Sequence, residues 1–99
     1  MSNVVEFVSF NLKGGASVSD FLLASDKIDQ AFLSMQKGYI QRKLLVNDGL
    51  WADLVLWETM DDALNAAKSF EGKTAAYEYF SFLDDKSIQM RHFSVEKSY

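Results

Sequence analysis

His92 is the single histidine of the chain, and an imidazole titrating near about pH 6.5 is the side chain best suited to move protons at neutral pH. Its neighbour Arg91 offers a permanent charge to a developing oxyanion. If the two sit on a strand they face opposite ways, so only one of them enters a given cavity. His92 is therefore either a general base or oxyanion donor, or a strand histidine at a sheet edge or dimer contact. Trp57 and Tyr39 are of the type that holds a flat aromatic ring by stacking, and equally of the type that fills a dimer core. Phe7, Ser9 and Asn11 share one side of a period-two run and are candidate lining for the same substrate, as is Tyr77. The cluster Tyr77, Tyr79, Phe80 and Phe82 otherwise packs in the core, since its spacing is helical.

Other pairings carry less chemistry. Asp61-Asp62 and Asp84-Asp85 are adjacent residues at a helix start and a turn, where their side chains diverge into solvent. Lys13-Gly14-Gly15 lacks the spacing of a phosphate loop. A lone histidine without H-x-H or H-x-x-x-E spacing, in a chain with no cysteine, gives no expected metal site, and thiolate, disulfide and iron–sulfur chemistry are excluded. No cofactor is expected.

The chain that must position these groups has 99 residues, 48% of them hydrophobic, enough for one core and one domain spanning 1–99. Its net charge is -4 and its ten basic residues are scattered, whereas nucleic-acid binding needs a clustered basic stripe. The start, Met1-Ser2-Asn3-Val4-Val5-Glu6, has neither a basic n-region nor an apolar h-region, and no apolar run approaches membrane-spanning length. No nucleic acid, no membrane and a cytoplasmic location are the expectations.

Val4 to Leu12 alternates as a strand, with Val4, Val8, Phe10 and Leu12 opposite Val5, Phe7, Ser9 and Asn11. After the Gly14-Gly15 break, Ser17 or Ser19 caps a helix carrying Val18, Phe21, Leu22, Ser25, Ile28, Phe32 and Met35, which Gly38 ends. Two alternating runs, Tyr39 to Trp57, flank Asn47-Asp48-Gly49, read as a three-residue bulged turn. That register sets Val46 against Leu50, Lys43 against Asp53 and Tyr39 against Trp57, and gives Leu50, Ala52, Leu54 and Leu56 one continuous face. Thr59 to Asp62 is a T-x-x-D capping box opening a second helix, broken near Glu71-Gly72-Lys73 and resumed from a Thr74 cap over Tyr77 to Leu83. Ser87 to Val95 is the last strand. Strand, helix, strand pair, helix, strand is an α+β, ferredoxin-like split βαβ order, with both helices on one face of an antiparallel sheet. With the leucine side toward the helices, Val5, Phe7, Ser9, Asn11, Tyr39, Leu45, Trp51, Val55 and Trp57 are left on the uncovered face. A second copy is expected to cover it, because apolar patches of that size mark interfaces or ligand grooves.

Three stretches carry a family resemblance: Phe10-Asn11-Leu12-Lys13-Gly14 closing the first strand, Gly38-Tyr39-Ile40 opening the second, and Val55-Leu56-Trp57-Glu58-Thr59 with Asp62-Ala63-Leu64 leading into the second helix. With them the chain resembles the dimeric α/β-barrel superfamily, most of all its antibiotic-biosynthesis-monooxygenase group. The resemblance implies two sheets packed face to face in a homodimer, and a pocket between sheet and helices or at the barrel mouth. It also implies cofactor-independent oxidation of an aromatic or polyketide-like molecule that itself gives electrons to oxygen. There Trp57 and Tyr39 position the substrate, and His92 or Arg91 stabilises the charge. The sequence departs from the group in having Gly14 for the usual proline and Lys73-Thr74-Ala75-Ala76 where many members carry a histidine. Phe7 stands where haem-degrading relatives have asparagine, which disfavours haem chemistry. The alternative is a non-catalytic dimer of the same fold that binds a small apolar ligand or is purely structural.

Overall fold

A computed structural model describes residues 2–99; Met1, where the leader reading begins, lies outside them. The chain forms β1 (Val4–Phe10), α1 (Val18–Ala31), β2 (Tyr39–Asn47), β3 (Leu50–Trp57), α2 (Met60–Lys68), α3 (Thr74–Phe80) and β4 (Gln89–Ser94), with 3-10 turns at Leu33–Met35 and Asp85–Ser87. The strands make one antiparallel sheet in the order β2-β3-β1-β4. This is the expected ferredoxin-like βαββαβ topology.

Local chemistry sets the ends of the helices. The Ser17 hydroxyl accepts from the Asp20 N–H at 3.2 Å and Thr59 accepts from the Asp62 N–H at 3.1 Å, satisfying N–H groups that have no partner inside a helix. The stripe that α1 buries is Phe21, Ala24, Ser25 and Ile28; Val18, Leu22 and Met35, expected on it, are exposed. Gly72, at φ +81, lies in the break between α2 and α3, and α3 begins at Thr74 itself without a side-chain cap.

The hairpin corrects the predicted register. Asp48 at φ 50 and Gly49 at φ 79 form a two-residue left-handed turn, whose twist matches that of the flanking strands. Asn47 therefore pairs with Leu50, Val46 with Trp51 and Leu44 with Asp53, and Lys43 faces Leu54 rather than Asp53. A bulge between Tyr39 and Gln41 then absorbs one residue and restores the predicted Tyr39–Trp57 pair. The sides of β3 are inverted as a result. Trp51, Asp53, Val55 and Trp57 share the helix face with Val4, Glu6, Val8 and Phe10, while Ala52, Leu54 and Leu56 join Val5, Phe7 and Ser9 on the face no helix covers.

The core lies between that helix face and α1, α2 and α3. Phe10, Phe21, Trp51 and Tyr79 meet there edge-on or tilted, with ring centroids 5.1 to 6.2 Å apart, and Phe70 bridges Phe32 and Phe80. Trp57 is fully buried with Tyr39 edge-on against it at 6.0 Å, and its indole N–H has no hydrogen-bond partner among the described residues. Beneath α2, Gly38 at φ +85 gives its carbonyl to the Glu58 N–H at 2.8 Å and passes so close that an added Cβ would lie 2.2 Å from Asp62 Oδ2.

Candidate functional site

Charged residues seldom sit in the inward register of a buried strand, because desolvating a charge is costly unless it is paired. Here each of the two central strands places one there, Glu6 on β1 and Asp53 on β3, with 6% and 8% exposure. Glu6 stands directly across from His92 on edge strand β4, and His92 Nε2 lies 2.8 Å from Glu6 Oε2. Asp53 is met from edge strand β2 by Arg42, whose Nε donates to Asp53 Oδ1 at 2.8 Å. Glu6 pairs with Val55, so Asp53 is its diagonal neighbour on the same face. The result is a row of base, acid, acid, base across all four strands beneath the helices.

The helices close on this row from above. Arg42 Nη2 donates to the Ser25 hydroxyl at 2.9 Å and Nη1 to the Ser25 carbonyl at 3.1 Å, which ties β2 to α1. Tyr79, on α3, donates its hydroxyl to Asp53 Oδ2, and the Arg42 guanidinium lies 5.6 Å from its ring centre. Asp29 of α1 accepts from the Tyr39 hydroxyl at 2.9 Å and lies 3.8 Å from Arg42 Nη1.

Burial drives the titration of these groups. It raises Glu6 above the ordinary carboxylate range and the nearby Asp53 charge adds to this, while the contact with His92 pulls the other way. Burial also raises Tyr79, reinforced by Asp53, and pushes Tyr39 up to about 12 with help from Asp29. For Arg42 burial works against the charge, but Asp53 and Tyr79 outweigh it and the net shift is upward. Arg42 and Asp53 thus form a locked ion pair, whereas Glu6 is a carboxyl whose ionisation is opposed by its surroundings.

A cavity of about 50 Å³ opens over the row, with Glu6, Arg42, Asp53 and Tyr79 as its polar lining and an otherwise apolar wall that includes Phe10, Ile28, Val55, Phe70, Leu83 and Met90. That volume holds a water or two, and even benzene occupies cavities of roughly 150 Å³. The α2–α3 segment forms part of the cover through Phe70, Tyr79 and Phe80, so a larger guest requires that segment to move.

The residues singled out from the sequence are dispersed around this site. His92 faces the helices and touches Glu6, while Arg91 points from the opposite face, as strand alternation requires. With Phe7, Ser9, Gln89 and Phe93, Arg91 lines an outer groove of about 310 Å³. Asn11 is exposed, its carbonyl accepting from the Asp84 N–H at 2.9 Å. Tyr39 and Trp57, expected on the uncovered face, lie on the helix face, where Trp57 is sealed in the core. Tyr77 is 61% exposed and accepts from the Gly72 N–H at 3.2 Å; Tyr79, two residues on, is the buried tyrosine. Glu6, Asp53, Arg42 and Tyr79 were not among the sequence candidates. Among the described residues no three His, Asp or Glu side chains converge on a metal position.

No protein-family model matches the chain, and no curated protein matches it. Solved structures do. SnoaB, a cofactor-independent oxygenase from Streptomyces nogalater, superposes with a TM-score of 0.76 at 15% identity over 99% of this chain and 97% of its own. The chain has the fold of that protein. A Bordetella bronchiseptica protein designated an antibiotic biosynthesis monooxygenase shares this fold with a TM-score of 0.78 at 15% identity, over 94% of this chain and 96% of its own. A conserved protein from Methanosarcina mazei shares it at 14% identity with a TM-score of 0.71, over 94% and 92% of the two chains. At such identities the likeness carries the fold and no residue's role. No helix among the described residues is long and apolar enough to cross a membrane.

Proposed function

We propose that this single-domain chain is a small-molecule oxygenase that needs no cofactor and acts on a flat aromatic, polyketide-like compound bound between sheet and helices. One observation carries the reading: an apolar, aromatic-walled cavity whose floor holds a carboxyl group raised in pKa by burial. Such a site removes a proton from a weakly acidic substrate and shields the resulting anion from water. The reaction class follows from the charge balance. A doubly activated methylene loses a proton, its anion passes an electron to O₂, the radicals combine to a peroxide, and loss of water leaves a carbonyl. One oxygen atom enters the product and the other leaves in water. Aromatic walls fix the ring plane, and the substrate is itself the reductant.

Dithranol, a tricyclic anthrone, is the test. The protein is expected to accelerate its aerobic conversion to the anthraquinone at least 100-fold over buffer, consuming one O₂ per turnover, with no added metal or flavin. Binding without acceleration would favour the non-catalytic reading, which the small volume of the closed cavity supports.

We also propose a homodimer through the uncovered face. Leu54 and Leu56 are half-buried there, and Leu45 and Phe93 are 41% and 52% exposed beside Val5 and Phe7. A contiguous apolar surface of this kind is a cost that a second sheet removes. Sedimentation at micromolar concentration is expected to show a dimer, and Leu54→Asp a folded monomer with unchanged circular dichroism. A monomeric parent protein would overturn this proposal.

A further inference from the structure

We propose that Glu6 is the general base of the cavity and that His92 is its proton exit, passing the proton to water at the sheet edge. Two carboxyl groups line the cavity, and their partners distinguish them. Asp53 has both oxygens engaged, one by the Arg42 guanidinium and one by the Tyr79 hydroxyl. It is committed to them. Glu6 has one oxygen on His92, and its Oε1 accepts no hydrogen bond among the described residues, although Glu6 lines the cavity. A basic oxygen in an apolar chamber with no donor of its own is available to a guest's O–H or activated C–H.

His92 stands behind it. Its side chain is 17% exposed while that of Glu6 is 7% exposed, so the pair runs from the chamber toward solvent. His92 does not itself line the cavity, and it acts on the substrate only through Glu6. The proton balance is simple. The guest's O–H or C–H bond breaks with its electrons left on the guest, and Glu6 Oε1 takes the proton. The carboxyl then turns so that this proton faces His92 Nε2, which accepts it in the ring's Nδ1–H tautomer; Nδ1 releases one to water, and the ring tautomer resets through solvent. The charged and titratable groups around Glu6 are His92 from β4, Asp53 from β3, Arg42 from β2 and Tyr79 from α3; Arg42, Asp53 and Tyr79 are engaged with one another. Burial raises Glu6 from its ordinary value, the direction that strengthens it as a base.

The inference rests on the cavity binding an acidic aromatic, as proposed above, and its test separates the two claims. Dithranol is mixed with the protein under argon, and formation of its anion is followed by absorbance before O₂ is admitted. The wild-type protein is expected to generate the anion. Glu6→Gln, close in shape, is expected to slow this at least 100-fold with dithranol affinity kept within a few-fold. His92→Asn is expected to slow it about tenfold, with recovery on adding imidazole, which a purely structural histidine would not show. Anion formation without O₂ uptake sinks the oxygenase reading and supports the base. O₂ uptake that Glu6→Gln leaves unchanged does the reverse. Failure of the wild-type protein to form the anion overturns the assignment of Glu6.

Discussion

Arg42→Ala is expected to destabilise the protein by about 3–5 kcal/mol, the usual cost of removing one partner from a buried ion pair. For a chain of this size that lowers the melting temperature by more than about 10 °C. The charge attraction is only part of the reason. Arg42 joins three elements by hydrogen bonds, to Asp53 on β3, to the Ser25 hydroxyl and carbonyl on α1, and to Tyr79 on α3. Without it, the Asp53 carboxylate remains at 8% exposure with only the Tyr79 hydroxyl to hold it. Arg42→Lys keeps the charge but loses the planar fork, and is expected to recover less than half of the loss. Urea titrations of the two variants and of an Arg42→Met, Asp53→Asn double variant check this. The double variant should be more stable than Arg42→Ala, because no uncompensated charge is left buried. A loss below about 1 kcal/mol for Arg42→Ala would mean that the row is solvated like a surface pair.

Gly38→Ala is expected to cost about 2–4 kcal/mol, through backbone geometry and a close contact together. A residue with a Cβ at φ +85 pays for the left-handed conformation, and the added carbon would lie 2.2 to 2.6 Å from the Asp62 carboxyl group and Cβ. Asp62 cannot easily retreat, since it is buried in the first turn of α2 and its N–H is capped by Thr59. The substitution therefore pushes the start of α2 away from the sheet. Gly72→Ala is the control, also at positive φ but with nothing within 4 Å of the added carbon. Equal losses for the two in thermal denaturation would show that close packing at Gly38 contributes nothing.

The topology was legible in the sequence because capping residues, turn glycines and changes of period agree along the chain. Thr59, Ser17 and the alternation of β1 mark true boundaries or faces, whereas the helix read as running to Gly38 ends at Ala31. The sides of β3 were not legible, because both are apolar: Leu50, Ala52, Leu54 and Leu56 make as good an inner face as Trp51, Val55 and Trp57. The three-residue turn gave the leucines one face and set Asp53 against Lys43 on the other. What the alternation could not supply was Arg42 arriving from β2 to neutralise Asp53. The site was overlooked for the same reason. Glu6 falls in phase with Val4, Val8 and Phe10, so the pattern that identified the inner face of β1 also placed a carboxyl on it. A charge in inward phase on a central strand was the available signal.

The sheet order also has a consequence for how the chain is made. β1 takes one neighbour from mid-sequence and the other from β4, so Glu6 and His92 meet across 86 residues. Synthesis runs from the N-terminus, and pairings between distant segments close slowly. Until residues 89–94 have left the ribosome, β1 has an open edge, and the carboxyl at its centre lacks its imidazole. The nascent chain can assemble the β2–β3 hairpin and the Arg42–Asp53 pair early. Closure of the sheet waits for the segment that also completes the proton path, so a chain stalled before it holds the cavity floor without its outlet.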